Sequence, residues 1–143
     1  YLTVTGDKEE QTRIRTYLGS MKYTADEMSH PVRELSGGQK QRGAVCRALI
    51  TGPQIIFADE PTGALDSRSG RELLECLKRV NDNGQATILM VTHDPYCASF
   101  AKEVYVLSDG QIQCRLAKGN SRKEFYDRIM DMQASLGGER LCE

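Results

Sequence analysis

Two short apolar runs, Ile55-Ile56-Phe57-Ala58 and Ile88-Leu89-Met90-Val91, bracket a stretch whose apolar residues recur at helical spacing. Leu73, Leu77 and Val80 mark the inner face of that helix, and Asn83-Gly84 is placed to end it. The run Ser69-Gly70-Arg71-Glu72 has capping-box spacing and is expected to lie at the helix start. Runs this short and this uniformly apolar suit strands buried on both faces, and strand, helix, strand implies parallel pairing. The fold class that follows is α/β with a mostly parallel sheet.

The flanking segments add elements of both kinds. Asp7 to Leu18 reads as a surface helix with Ile14, Tyr17 and Leu18 at helical spacing and Gly19 placed to end it. Thr24 to Ser29 adds a short helical turn before proline interrupts at His30-Pro31. A helix from Gly38 or Gln39 through Ile50 carries Val45, Leu49 and small alanines as its apolar stripe, and Thr51-Gly52-Pro53 stops it. Asp94-Pro95 is a cap and first position for a short helix. Val104 to Leu107 and Gln111 to Gln113 form a hairpin around Ser108-Asp109-Gly110. A second capping box, Ser121 to Glu124, opens a helix with Phe125, Ile129, Met132 and Leu136 on one face before Gly137-Gly138.

Two clusters carry chemistry. In Leu35-Ser36-Gly37-Gly38-Gln39 the glycines let backbone approach a charged ligand, and the helix that follows presents its positive end to phosphate. Asp59-Glu60 places two carboxylates at the end of an apolar strand, one suited to a metal and one to water. A G-x-x-x-x-G-K-[ST] loop, which would cradle the rest of a nucleotide, does not occur in the chain.

Composition narrows the alternatives. Nineteen Lys plus Arg against twenty Asp plus Glu leave a net charge of −1, with no basic block of the kind nucleic acid requires. No apolar run approaches the length of a bilayer span, so direct membrane insertion is not expected. Five cysteines, none in C-x-x-C spacing, argue against a disulfide framework or zinc site and for thiols in a reducing cytoplasm.

At Leu35 to Gln39, Ile55 to Glu60, Ala64-Leu65-Asp66 and His93 the chain resembles the ABC ATPases. These segments look like the family's signature motif, Walker B strand, D-loop and switch histidine, in the family's order and at its usual spacing. The resemblance runs from about Ser29 to about Gln113. It implies a partial P-loop NTPase core with part of the α-helical subdomain: residues 1–50 in that subdomain and the helix after the signature, 51–118 in the catalytic core, and 119–143 a C-terminal amphipathic helix and tail. With no P-loop and Tyr1 at its start, the chain is expected to be the C-terminal part of such a domain. One side of the Ile55 to Ala58 strand is then expected to lie uncovered, favouring self-association.

The resemblance also implies roles. Glu60 acts as general base or water-positioner, His93 senses the γ-phosphate, and Asp59 holds Mg²⁺ through water. Ser36, Gly37, Gly38 and Gln39 meet the γ-phosphate of ATP held by the opposite subunit, and Asp66 links the two sites, although a helix N-cap explains an aspartate there nearly as well. His30 lacks such context and reads as structural or solvated. The implied partners are a second copy in a homodimer and a transmembrane permease at the inner face of the cell membrane. The segments Ala58 to Asp66 and Val91 to Pro95 look like the subgroup serving lipoprotein release, macrolide efflux and peptide-antibiotic (bacitracin-type) resistance. Two rivals belong to other classes. A DNA-repair or chromosome-organising ATPase head would enter through a long heptad coiled coil, which Tyr1 to Pro31 lacks. A non-catalytic dimerisation or docking module would use the helical face alone.

Overall fold

The computed structural model describes residues 8–138, which fall into two compact units, one running through Val91 and the other from Thr92. In the first unit α1 (Lys8–Ser20) leads through two short 3-10 turns, Glu27–Ser29 and Val32–Glu34, into α2 (Gly37–Ile50). β1 (Ile55–Asp59), α3 (Ser67–Asp82) and β2 (Thr87–Val91) follow. β1 and β2 pair in parallel, with Ile55 opposite Thr87 and Asp59 opposite Val91. Helix α1 runs one residue past Gly19, where the sequence places its end. Asp7, its expected first residue, lies outside the described residues.

Burial explains why these elements hold together. Ile14 and Leu18 of α1, Met21, Tyr23, Cys46 and Leu49 of α2, and Cys76 and Val80 of α3 form one core, which Ile56 and Ala86 join from the sheet side. Deep burial of some ten apolar side chains is the dominant favourable term for a unit of this size.

The strands depart from the expectation of burial on both faces. Phe57 is 75% exposed and Val91 61%, with Ile55 and Leu89 also largely in solvent, while Ile56 alone of β1 is buried. Alternation along each strand sends the odd-numbered residues to one side, and nothing among the described residues covers that side. The uncovered face agrees with the expectation that one side of Ile55 to Ala58 is left open.

The second unit contains α4 (Pro95–Ala98), β3 (Glu103–Ser108), β4 (Gln111–Ala117) and α5 (Arg122–Gly138). Asp94 caps α4, its carboxylate accepting the Tyr96 N–H at 2.8 Å, with Pro95 in the first turn. β3 and β4 form an antiparallel hairpin whose turn residues Asp109 and Gly110 both have positive φ, 53° and 74°. That geometry matches the strand twist, and glycine tolerates it without a Cβ penalty. β4 continues to Ala117, beyond the expected end at Gln113. Phe125 and Ile129 of α5 are buried, as their spacing requires, and the Ser121 hydroxyl accepts the Glu124 N–H at 3.3 Å. The Arg122 guanidinium lies over the rings of Tyr96, at 5.2 Å, and Phe100, at 4.6 Å.

Candidate functional site: a glycine-rich helix start and a strand-end carboxylate pair

The glycine-rich run becomes the N-terminus of α2. Ser36 is the N-cap, and its hydroxyl accepts the Gln39 N–H at 3.2 Å. Gln39 returns the bond, its side-chain carbonyl accepting the Ser36 N–H at 2.7 Å, which closes a capping box. The helix thus begins one residue before the expected Gly38. Gly37 and Gly38 fall in the first turn, where backbone N–H groups have no partner within the helix and the helix dipole favours an anion. Ser36, which accepts through its oxygen, retains its hydroxyl proton as a donor.

Gly38 is fixed by packing as well. A Cβ there would come within 2.7 Å of the Ser69 Cβ, so the start of α2 touches the start of α3. Beside it, a Cβ on Gly37 would lie 3.6 Å from a methyl of Leu65. The segment before α3 therefore abuts the glycine-rich run. Asp66 is the N-cap of α3, accepting the N–H groups of Arg68 at 3.0 Å and Ser69 at 2.9 Å. These contacts, the Ser69 N–H foremost and its hydroxyl next, hold the Asp66 carboxyl below the usual carboxylate range. The capping box expected at Ser69 is corrected: a carboxylate that reaches two N–H groups starts the helix nearly one turn earlier.

The carboxylates stand at the C-terminal end of the parallel strands. Asp59 is exposed, opposite Val91 in register, and Glu60 is half-buried just beyond. Glu60 has a φ of +41°, in the left-handed region that a residue with a Cβ enters only when its surroundings impose it. Its N–H donates to the Val91 carbonyl at 2.9 Å and its carbonyl accepts the Gly63 N–H at 3.0 Å, so both sides of the peptide are pinned. The turn from Glu60 to Asp66 then connects the carboxylate pair to the start of α3 and hence to the glycine-rich run.

His93 belongs to the second unit, where its carbonyl accepts from the Gln133 side chain at 3.4 Å. The first unit brings together Ser36, Gly37, Gly38, Gln39 and Asp66 through the α2–α3 junction, and Asp59 and Glu60 through the strand end. His30 is exposed and faces Asp26 at 3.9 Å, in keeping with a solvated role. Among the described residues no three His, Cys, Asp or Glu side chains gather as a metal site. Asp59 as a single carboxylate suits a Mg²⁺ ion whose other ligands are water and phosphate, the usual arrangement for that cation.

Sequence reasoning missed the residues that brace the glycine-rich run. Glu27 accepts from the Gln39 side-chain amide, the Tyr23 hydroxyl donates to the Gln39 carbonyl, and buried Arg42 pairs with Glu72 at 3.0 Å. Only the Thr24-x-x-Glu27 spacing signalled part of this, and it forms a reciprocal box: the Thr24 N–H donates to Glu27 at 2.8 Å and the Glu27 N–H to the Thr24 hydroxyl at 3.2 Å. On the side of α2 occupied by the 3-10 turns lies a cavity of about 230 Å³, with Leu18, Met28 and Leu35 as apolar walls and Lys40 and Arg47 among its charged lining.

The family model described as ABC transporter matches residues 3–63. The bacitracin export ATP-binding protein BceA of Halalkalibacterium halodurans is 55% identical over 106 residues, covering 73% of this chain and 42% of that protein. The macrolide export ATP-binding/permease protein MacB of Salmonella choleraesuis is 46% identical over 105 residues, 73% of this chain and 16% of that protein. Among solved structures, the dimeric post-hydrolysis ATP-binding cassette MJ0796 bound to ADP and Pi superimposes with a TM-score of 0.64 at 35% identity, over 83% of this chain and 52% of that one. CbiO1 of Clostridium perfringens, from the cbiONQ ABC transporter complex, gives a TM-score of 0.72 at 24% identity over 97% of this chain and 55% of that one, a likeness of fold alone. The chain spans less than half the length of the curated relatives it matches.

Proposed function

We propose that the chain, matched by the ABC transporter family model over residues 3–63 and 55% identical to BceA over 106 residues, is part of an ATP-binding subunit that couples ATP hydrolysis to export through a membrane permease. The observation that carries this reading is the start of α2. Ser36, Gly37 and Gly38 present a hydroxyl and two N–H groups from a capped helix end, the donor set an anionic phosphate calls for. As the family resemblance implies, those donors serve ATP held by the opposite subunit of a homodimer of the longer protein.

The strand end supplies the other half of the chemistry. Asp59 would hold Mg²⁺ through water, and the ion when bound offsets charge on the β- and γ-phosphates. Glu60, oriented by its pinned backbone, takes the proton of the attacking water or positions that water. His93 donates a ring N–H to the γ-phosphate, and Asp66, by fixing the turn after Glu60, links the two sites across the dimer. In this reading residues 1–50 hold the helical subdomain and signature helix, 51–118 the carboxylate and histidine half of the core, and 119–143 the C-terminal helix. The cavity walled by Leu18, Met28 and Leu35 lies in that helical part, which faces the permease at the inner side of the membrane. No helix among the described residues is long and apolar enough to cross a membrane.

The similarity to bacitracin and macrolide export proteins supports a peptide antibiotic or similar amphiphile as the exported substrate. The test is turnover by the intact transporter. Glu60→Gln should abolish ATP hydrolysis while ATP still binds, and hydrolysis at the parent rate would remove Glu60 from its role. The 143-residue chain alone should show no micromolar MgATP affinity by calorimetric titration.

A further inference from the structure

The Gln39 side chain lies beside the proposed phosphate donors, yet both ends of its amide are already engaged. Its carbonyl oxygen accepts the Ser36 N–H at 2.7 Å, and its NH₂ donates to the Glu27 carboxylate. A carboxylate can only accept, so Glu27 dictates which end of the amide faces it and which faces Ser36. With the amide reversed, two acceptors would meet at Glu27 and two donors at Ser36. We infer that Glu27 is a positioning residue for the nucleotide-facing helix start: through Gln39 it holds Ser36 in the capping box and leaves the Ser36 hydroxyl and the Gly37 and Gly38 N–H groups as the donors offered to phosphate. This inference rests on the reading that Ser36 to Gln39 faces a nucleotide.

Glu27 is itself held in place. Its reciprocal box with Thr24 anchors the carboxylate at 2.8 Å, and the same Thr24 N–H, the foremost of several contacts, keeps the carboxyl below its usual range and so ionised near neutrality. A second tether acts on the Gln39 backbone. The Tyr23 hydroxyl reaches the Gln39 carbonyl across Gly43, where a Cβ would come within 2.9 Å of that hydroxyl oxygen. Gln39 is thus gripped at its amide and at its backbone by the segment between α1 and α2. Its amide is withheld from the ligand, and the Ser36 N–H is spent inside the box.

The experiment is a double-mutant cycle in the intact transporter, comparing Glu27→Ala, Gln39→Ala and the double variant by ATPase rate. If Glu27 acts through Gln39, each single variant should lose about tenfold in kcat, the equivalent of one charge-assisted hydrogen bond. The double variant should then lose no more than Gln39→Ala alone. Multiplied losses in the double variant would overturn the inference, because Glu27 would then act by a separate, merely structural route. Ser36→Ala separates the inference from the reading beneath it. A slow Ser36→Ala with Glu27→Ala at the parent rate sinks the positioning role only, whereas parent rates in both sink the phosphate reading itself. Should Glu27→Ala fail to assemble, amide hydrogen exchange in the 143-residue chain carrying Glu27→Met, which keeps the side chain's length but removes its acceptor oxygens, reports directly: faster exchange at Ser36 with α3 unaffected is expected, and unchanged protection at Ser36 overturns the role.

Discussion

Replacing Glu72 by alanine should cost the first unit about 2 kcal/mol, whereas replacing its partner Arg42 by methionine should cost about 1 kcal/mol or less. The asymmetry comes from where the two charges sit. The Arg42 side chain is 7% exposed and that of Glu72 28%, with a guanidinium nitrogen 3.0 Å from the carboxylate. The Arg42 Nε has no hydrogen-bond partner among the described residues. Removing one partner of a fully buried pair typically costs about 3–5 kcal/mol, because the other is left charged and unpaired. Water reaches Glu72, so the penalty for stranding Arg42 is reduced to about 2 kcal/mol. The reverse change strands nothing. Glu72 keeps Arg68 at 3.5 Å and its own solvent, the orphaned Nε disappears, and methionine retains most of the aliphatic stem. What is lost is the guanidinium over the Tyr23 ring, 5.9 Å from its centroid, worth about 0.5–1 kcal/mol at a partly exposed site. Urea unfolding followed by far-UV circular dichroism, compared at constant slope, measures both variants on the 143-residue chain. An Arg42→Met variant as unstable as Glu72→Ala would refute the reasoning, since the pair would then act by attraction and not by avoiding a stranded charge.

Two further outcomes follow from local electrostatics. The Asp66 carboxyl is held low by the Ser69 N–H and hydroxyl, so the support it gives to α3 is fully present above the ordinary carboxylate value, about 3.9, and is lost as pH falls through the lower folded value. Carbon-13 NMR of its carboxyl should titrate below the ordinary midpoint, and a midpoint at or above it would contradict the cap. Burial, reinforced by Cys76, pushes the Cys46 thiol up to about 12, so at pH 8 iodoacetamide should alkylate half-buried Cys114 well before Cys46 in the folded chain. Peptide mapping that finds Cys46 labelled as fast as Cys114 would contradict that burial.

Local signals carried the elements whose causes are local. Asp94-Pro95 capping a short helix, Asp109-Gly110 turning a hairpin and the Phe125, Ile129 face of α5 all depend on residues a few positions apart, and each was legible. The start of α3 was misread because two capping signals, Asp66 and Ser69, stand three residues apart and only the folded turn selects the one that reaches two N–H groups. The braces on the glycine-rich run were invisible for a different reason. Glu27 meets Gln39 across 12 positions and Arg42 meets Glu72 across 30, and polar pairs at such separations leave no periodic trace. Burial of β1 on both faces failed because apolar composition states what a strand can tolerate, while its cover depends on neighbours elsewhere in the fold.

Gly38 shows how a sequence can point to the right residue while concealing part of the cause. Read alone, a glycine in Ser-Gly-Gly-Gln admits close approach by a ligand, and that sufficed to single it out. The structure adds a second requirement: the Ser69 Cβ and hydroxyl occupy the space a side chain would take, at 2.7 and 2.8 Å. Alanine at position 38 must therefore displace backbone at the junction of α2 and α3 whether or not a phosphate is ever bound. Loss of activity in such a variant cannot by itself identify a ligand contact. Ser36 can, because its hydroxyl proton is left over after the capping box is made, and Ser36→Gly removes that donor at a position where glycine still serves as an N-cap at a cost of only a few tenths of a kcal/mol, about 0.3.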